Sequence, residues 1–194
     1  MRITSGTAGG IPLKVPAAVA RPTTDRVRQA VFNMLGEGMV GLRVLDLFAG
    51  SGALGLEALS RGAATALLVD EHREACAAMR DNLAKSRLTG GTVRQGDAFR
   101  VLAELAKTAA GAFDLIFADP PYAHSAKDKD LGAMLLQAEA LREVLTVGGS
   151  FVLECRVTND AFSPPSGWHL ERDREYGSTR VLWLRKIADV VPNS

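Results

Sequence analysis

Residues 119–122 read Asp-Pro-Pro-Tyr and close the run Phe113-Asp114-Leu115-Ile116-Phe117-Ala118. A short, mostly apolar run bounded by turn residues reads as a buried strand. The two prolines stiffen the chain directly after the acid, because each ring fixes its own φ. Such a turn holds the Asp119 carboxylate and the Pro120 carbonyl in one mutual geometry. Both groups are acceptors, and an –NH2 group has two donors. The exocyclic amine of a nucleic-acid base is a poor nucleophile, because its lone pair is delocalised into the ring. Gripping both N–H bonds favours a pyramidal nitrogen with the lone pair free. That lone pair can attack a sulfonium methyl in line, with positioning and electrostatics carrying the rate. Tyr122 offers a flat ring on which an extruded base can stack. Asp119, Pro120, Pro121 and Tyr122 are therefore the candidate catalytic residues.

A second turn lies upstream. Arg43-Val44-Leu45-Asp46-Leu47-Phe48 runs into Ala49-Gly50-Ser51-Gly52 and then a helical pattern. Glycines there let a ligand approach the backbone, and the helix that follows presents free N–H groups. Gly50, Gly52 and Gly55 also fit the dinucleotide spacing G-x-G-x-x-G, and Asp70 ends the next strand. An acid there accepts from ribose hydroxyls of either a dinucleotide or S-adenosylmethionine, so this turn alone leaves both open. Two details favour S-adenosylmethionine. Asp46 lies inside the first strand, within reach of the amino-acid end of that cofactor. Asp97 and Ala98 follow the third strand, where Asp97 suits an adenine amine; a plain helix N-cap reads the same way. The candidate cofactor residues are Asp46, Phe48, Ala49, Gly50, Ser51, Gly52, Asp70, Asp97, Ala98 and Asp119.

These turns need a scaffold that brings strand ends together. The pattern predicts strands over 43–48, 65–70, 92–95, 113–119 and 150–155, with helices over 53–61, 71–86, 98–109 and 129–145. Apolar strands alternating with helices imply a mostly parallel α/β sheet covered on both faces. The tail differs: 167–172 and 178–186 read as a β-hairpin, so a late strand must be antiparallel. Residues 2–5 and 11–15 read as a small N-terminal hairpin. Thr24 and Asp25 suit the start of a helix that carries Val27, Val31, Met34 and Leu35 on one face.

The 194 residues suit one domain and are 47% apolar, without any run long enough for a transmembrane helix. The N-terminus lacks the apolar run of a signal peptide. Cys76 and Cys155 lack CxxC spacing and read as reduced packing residues, pointing to a cytoplasmic protein. No His, Cys and carboxylate cluster has ligand spacing, so no metal is expected. His72, His124 and His169 read as solvated or capping residues. Residues 1–43 hold six basic side chains against two acidic ones, a modest pointer to a phosphate-bearing partner.

The segments quoted, together with Arg21-Pro22-Thr23-Thr24-Asp25-Arg26-Val27-Arg28, Leu54 through Ala63 and Tyr176-Gly177-Ser178-Thr179, resemble a known family. It is the bacterial RsmD type of class I methyltransferases, which modify N2 of a guanine in 16S ribosomal RNA. The resemblance runs from about Arg2 to Lys186. It implies a Rossmann-like, seven-stranded sheet with an antiparallel last strand and a small N-terminal β-hairpin extension. It implies S-adenosylmethionine as cofactor, S-adenosylhomocysteine as product, and an assembling small ribosomal subunit as partner. Residues 1–20 then form an RNA-contacting arm, 21–188 the methyltransferase domain, and 189–194 a frayed tail. Arg2, Lys14, Arg21, Arg26 and Arg28 become the candidate RNA-binding residues, in a protein expected to be monomeric.

Two departures stand out. Asp70 takes the place where a glutamate is commoner, and His72 a place where an acid is often seen. Three other readings remain: an adenine-N6 methyltransferase of DNA or RNA, a non-catalytic RNA-binding assembly factor, and, more remotely, a nicotinamide dehydrogenase. The short connection after Tyr122 leaves no room for a separate target-recognition domain, which weighs against a DNA enzyme.

Overall fold

A computed structural model describes residues 1–16, 25–36, 38–123, 128–158 and 161–188. Its centre is a seven-stranded sheet built from β1 (Arg43–Leu47), β2 (Thr65–Asp70), β3 (Gly91–Gln95), β4 (Phe113–Ala118), β5 (Leu145–Arg156), β6 (Trp168–Tyr176) and β7 (Thr179–Lys186). The spatial order is β3-β2-β1-β4-β5-β7-β6. The first five strands pair in parallel, while β7 pairs antiparallel with both β5 and β6. The tail hairpin folds back so that its second strand enters the sheet and its first becomes the edge. The architecture is the expected one.

Helices cover both faces. They are α1 (Asp25–Leu35), α2 (Ala53–Ser60), α3 (Arg73–Ser86), α4 (Ala98–Thr108), α5 (Leu131–Gln137) and α6 (Glu139–Val144). On one face, Val27, Val31 and Phe32 of α1 join Leu54, Met79, Leu115, Phe117, Val152 and Val181 in a core. On the other, Val101 and Leu102 of α4 and Leu141 of α6 pack with Leu45, Ile116, Phe151, Leu153, Leu182 and Trp168. Val181 and Leu182 serve opposite faces, as the two-residue period of a strand requires.

Three expectations change in detail. The long helix over 129–145 is two helices, because Ala138 is extended (φ −71°, ψ 113°) and turns the chain between them. β5 begins at Leu145 rather than 150, with a register shift opposite Phe113 and Leu115. The N-terminal hairpin shrinks to one bridge, Arg2 with Pro12, supported by backbone bonds from Ile3 to Ile11 and from Gly10 to Ile3. Its hydrophobic side chains, Ile3, Ala8 and Leu13, pack on Ala53 and Leu56 of α2. Thr24 and the tail 189–194 lie outside the described residues. Among the described residues, no helix is long and apolar enough to cross a membrane, and no His, Cys and carboxylate group could hold a metal.

Candidate active site

The strand order reverses between β1 and β4, since β2 follows β1 on one side and β4 lies on the other. In an open α/β sheet, that switch point opens a crevice at the carboxyl ends of the strands. Both turns singled out in the sequence sit there. Leu47 of β1 is in register with Ala118 of β4, so Phe48 and Asp119 leave the sheet side by side.

The glycine turn has the backbone that its residues imply. Gly50 and Gly52 have φ of +56° and +78°, and Phe48 also takes a left-handed φ of +58°. That region is costly for a residue with a Cβ, and phenylalanine is held in it by its surroundings. The Phe48 ring meets Phe99 of α4 edge-on, with centroids 6.4 Å apart. Gly55 has a different task. A Cβ there would lie 2.1 Å from Leu68 Cδ2 and 3.2 Å from Asp46 Oδ2, so its absence lets α2 press onto β1 and β2.

The acids around this turn are engaged with backbone amides. Asp46 is 1% exposed, and its Oδ2 accepts from Gly55 N at 2.8 Å. Asp70 ties the turn to the end of β2: Oδ2 accepts from Gly50 N at 2.9 Å and Oδ1 from His72 N at 2.9 Å. His72 occupies the N-cap position of α3, with Nδ1 3.1 Å from Asp70 Oδ1. Asp97 is the N-cap of α4 and accepts from Arg100 N at 2.8 Å. Ala98 behind it is buried. Carboxylate oxygens carry further lone pairs, so these bonds leave acceptor capacity for a ligand.

Asp46 stands apart electrostatically. Burial pushes its carboxyl up to about 7, and the negative fields of Asp119 and Asp70 add to the rise, against the Gly55 N–H bond. Three acids converge on a small volume, and a cationic ligand would relieve their repulsion. The ammonium and sulfonium groups of S-adenosylmethionine have that character. The donor set fits the group.

Asp119 and Pro120 follow directly on β4, with Pro120 buried and Asp119 half-buried. The Tyr122 hydroxyl lies 3.3 Å from Glu154 Oε1 and 3.3 Å from Thr179 Oγ1. Both of those residues are buried, one on β5 and one opening β7. Burial also pushes the Tyr122 phenol up, with Glu154 and Asp119 adding to the rise, so its hydroxyl stays neutral. The sequence reading missed Glu154 as a site residue; the signal was an acid inside the apolar run Phe151-Val152-Leu153. Nothing in the sequence marks Thr179 as a partner of Tyr122.

The basic candidates divide. Arg2 and Arg26 are exposed, and Arg21 lies outside the described residues. Lys14 is exposed but pairs with Asp81 of α3 at 2.7 Å. Arg28 is corrected: it is fully buried and not placed to meet RNA. It donates to the Arg2 carbonyl and to Asp25 Oδ1, and its Nε lies 3.7 Å from Glu57 Oε2. Glu57, itself buried, also accepts from Thr4 N and Thr4 Oγ1 at 2.7 Å each and from Arg61 Nε at 2.8 Å. A buried charge persists when paired, and this cluster fastens the N-terminal segment to α1 and α2.

The family model described as Conserved hypothetical protein 95 matches residues 1–185. Ribosomal RNA small subunit methyltransferase D of Escherichia coli (strain K12) is 34% identical over 189 residues, 97% of this chain and 91% of that protein. The chain belongs to the RsmD family of S-adenosylmethionine-dependent methyltransferases. Its relative YlbH of Bacillus subtilis (strain 168), whose name describes an rRNA methyltransferase, is 45% identical over 96% of this chain and 99% of that one. The solved structure of yhhF from Escherichia coli, named as a methyltransferase, has 32% identity and a TM-score of 0.78 over 97% of this chain and 99% of that one. SMU.776, a structure complexed with SAH, shares the fold at 15% identity and a TM-score of 0.67, over 82% of this chain and 48% of that one.

Proposed function

We propose that the chain transfers a methyl group from S-adenosylmethionine to the exocyclic N2 amine of a guanine in 16S ribosomal RNA, within an assembling small subunit. The observation that carries this reading is the Asp119–Tyr122 turn beside the Gly50–Gly52 turn at the β1/β4 switch point. The names of the E. coli and B. subtilis relatives support RNA as the substrate class.

In this reading Asp46, Asp70 and Asp97 hold the cofactor at its amino-acid, ribose and adenine parts. Phe48 and the backbone of Ala49, Gly50, Ser51 and Gly52 lie along it, and Ala98 borders its adenine. The bound cofactor supplies an electrophilic methyl on sulfur. Asp119 and the Pro120 carbonyl accept from the two N–H bonds of the target amine and free its lone pair for in-line attack. The N–C bond forms as the S–C bond breaks. The methylated nitrogen then sheds its surplus proton to Asp119 or to water. Pro121 keeps the turn rigid, and Tyr122 stacks on the extruded base. Tyr122 is itself set by Glu154 and Thr179. Residues 1–20 serve as an RNA-contacting arm through Arg2, with Arg26 alongside, and the enzyme acts as a cytoplasmic monomer.

The test is transfer of labelled methyl to unmodified small subunits, free small-subunit RNA and duplex DNA, with the product nucleoside identified. N2-methylguanosine on subunits is expected. The Asp119→Ala variant should lose about a hundred- to a thousandfold in kcat while keeping RNA affinity. Label as N6-methyladenine would overturn the substrate, and unchanged turnover in Asp119→Ala would overturn the mechanism.

A further inference from the structure

The edge strand β6 sorts its charges by face. From Arg172 onward, Arg172, Arg174 and Tyr176 alternate with Asp173 and Glu175, and an alternating strand sends the two sets to opposite sides of the sheet. Register fixes which side is which. Arg172, Arg174 and Tyr176 stand opposite Trp183, Val181 and Thr179 of β7. Val181, Trp183 and Tyr176 belong to the core beneath α1. The arginines therefore share a face with α1, and Asp173 and Glu175 lie on the other, while Glu171, in the register shift before Arg172, turns to Arg185 on the arginines' side.

Between β6 and α1 is a cavity of about 490 Å³ lined by Ala30, Asn33, Met34, Arg172, Arg174 and Tyr176. Arg172 and Arg174 are exposed, and each Nη1 donates to the carbonyl of the preceding residue, at 2.7 and 2.9 Å. Neither forms an ion pair among the described residues. The neighbouring acids do: Glu171 binds Arg185 and Asp173 binds Arg180, both at 2.5 Å. On the helical wall, Arg26 lies one turn before Ala30 on the same side and is exposed. Two arginines two residues apart along one strand, with Cα atoms roughly 7 Å apart, present forked donors at a spacing suited to successive phosphates.

The groove also leads to the active site. Tyr176 pairs with Thr179 across the turn between β6 and β7, and Thr179 Oγ1 lies 3.3 Å from the Tyr122 hydroxyl. We infer that the α1–β6 groove is a binding site for a single strand of nucleic acid, with Arg172 and Arg174 on successive phosphates and Tyr176 as a stacking surface. Arginines that track a backbone beside an aromatic ring are the general means of holding single strands. The inference rests on the RNA-modifying reading and extends it: the strand flanking the target nucleotide runs along β6 toward Tyr122. The competing role for the two arginines is to discourage sheet-edge pairing, and that role needs no ligand.

The test compares wild type with R172A/R174A, R172K/R174K and Asn33→Glu. The probes are unmodified small subunits and free small-subunit RNA, titrated across salt concentrations. S-adenosylmethionine affinity and melting temperature report an intact fold. R172A/R174A should bind RNA about tenfold or more weakly, with the salt slope reduced by about 1.4 for two contacts on a single strand. KM for RNA should rise while kcat and cofactor affinity hold. R172K/R174K should recover most of the affinity, and Asn33→Glu, on the opposite wall, should weaken binding without touching either arginine. Unchanged affinity and salt slope in R172A/R174A and in Asn33→Glu overturns the groove, even if wild type methylates RNA normally. Loss on subunits with unchanged affinity for free RNA assigns the face to a subunit protein and also overturns it. If wild type binds RNA but transfers no methyl, the proposed reaction falls. The groove is then still decided by the same affinities.

Discussion

The two wings of the sheet contribute to the site in different ways. In the wing β3-β2-β1-β4, the candidate ligand-binding residues lie at or just beyond the carboxyl ends of strands, and most of their partners are close in sequence, although Asp70 also reaches back to Gly50. Asp46 bonds Gly55, Asp70 bonds His72, and Asp97 bonds Arg100. In the wing β5-β7-β6, the contacts are distant. Tyr122 reaches Glu154 and Thr179, 32 and 57 residues away. The first wing is a set of turns, each specified locally. The second is a surface that exists only after the tail has been threaded back into the sheet. The first can be probed by disturbing single turns, and the second by cutting its cross-strand contacts.

The largest effect should come from Asp46. Its carboxyl rises from 3.8 to about 7, with burial as the main cause. For an acid whose pKa is raised by folding, the native state prefers the protonated form. Its stabilising contribution is therefore complete below about pH 4 and is lost as pH climbs through 7. At roughly 1.4 kcal/mol per unit, the loss from this group approaches 4 kcal/mol. Asp46→Asn keeps an acceptor for Gly55 N and removes the titration. Chemical denaturation at about pH 5 and pH 8 should show the variant gaining on wild type as pH rises. A parallel pH dependence in both proteins would place Asp46 in a wetter site than the structure shows. In the binding direction, S-adenosylmethionine should stabilise wild type more strongly above pH 7, where the carboxylate is ionised, and that increment should vanish in Asp46→Asn.

Gly55→Ala tests how tightly the same wing is packed. Helix propensity alone favours alanine by about 1 kcal/mol. The added Cβ meets Leu68 Cδ2 at 2.1 Å, and Leu68 is fully buried. Overpacking of that kind costs about 1–3 kcal/mol, so the variant should be net destabilised, with a lowered melting temperature. Cofactor affinity should fall with it, because Asp46 Oδ2 lies against the same Cβ position. A variant more stable than wild type would show that α2 has room to move.

The legibility of the molecule follows the same division. The Asp119–Tyr122 and Gly50–Gly52 turns declare themselves by composition, since prolines and glycines restrict or free the backbone at the positions where they stand. Asp97 was legible only as an acid after a strand; its bond to Arg100 realises the capping reading, and a ligand role has to use what remains. Arg28 misled because charge was read without burial. Residue spacing places it on the α1 helix, but only the packed structure shows Glu57 waiting on α2, 29 residues further along. The face alternation of β6 was present in the sequence as Arg172-Asp173-Arg174-Glu175-Tyr176. It acquires a direction only through the register with β7, which is a long-range fact.

The smallest effect sharpens the second wing. Tyr122→Phe keeps the ring and removes the hydroxyl that meets Glu154 and Thr179. At 3.3 Å the bond to the Glu154 carboxylate falls at the weak end of the roughly 1.5–3 kcal/mol of a charged acceptor, so about a tenfold fall in kcat is expected, with RNA affinity almost unchanged. Tyr122→Ala, by contrast, removes the stacking surface, worth about 1–3 kcal/mol per base, and should raise KM as well. Thr179→Val lies on the other side of the same contact and keeps its volume. If the hydroxyl works by fixing the ring, Tyr122→Phe and Thr179→Val should each slow turnover, and the double variant should be no slower than the worse single one. Additive losses would mean that Thr179 acts on the substrate separately. The catalytic turn would then depend on the first wing alone, although its tyrosine is anchored in the second.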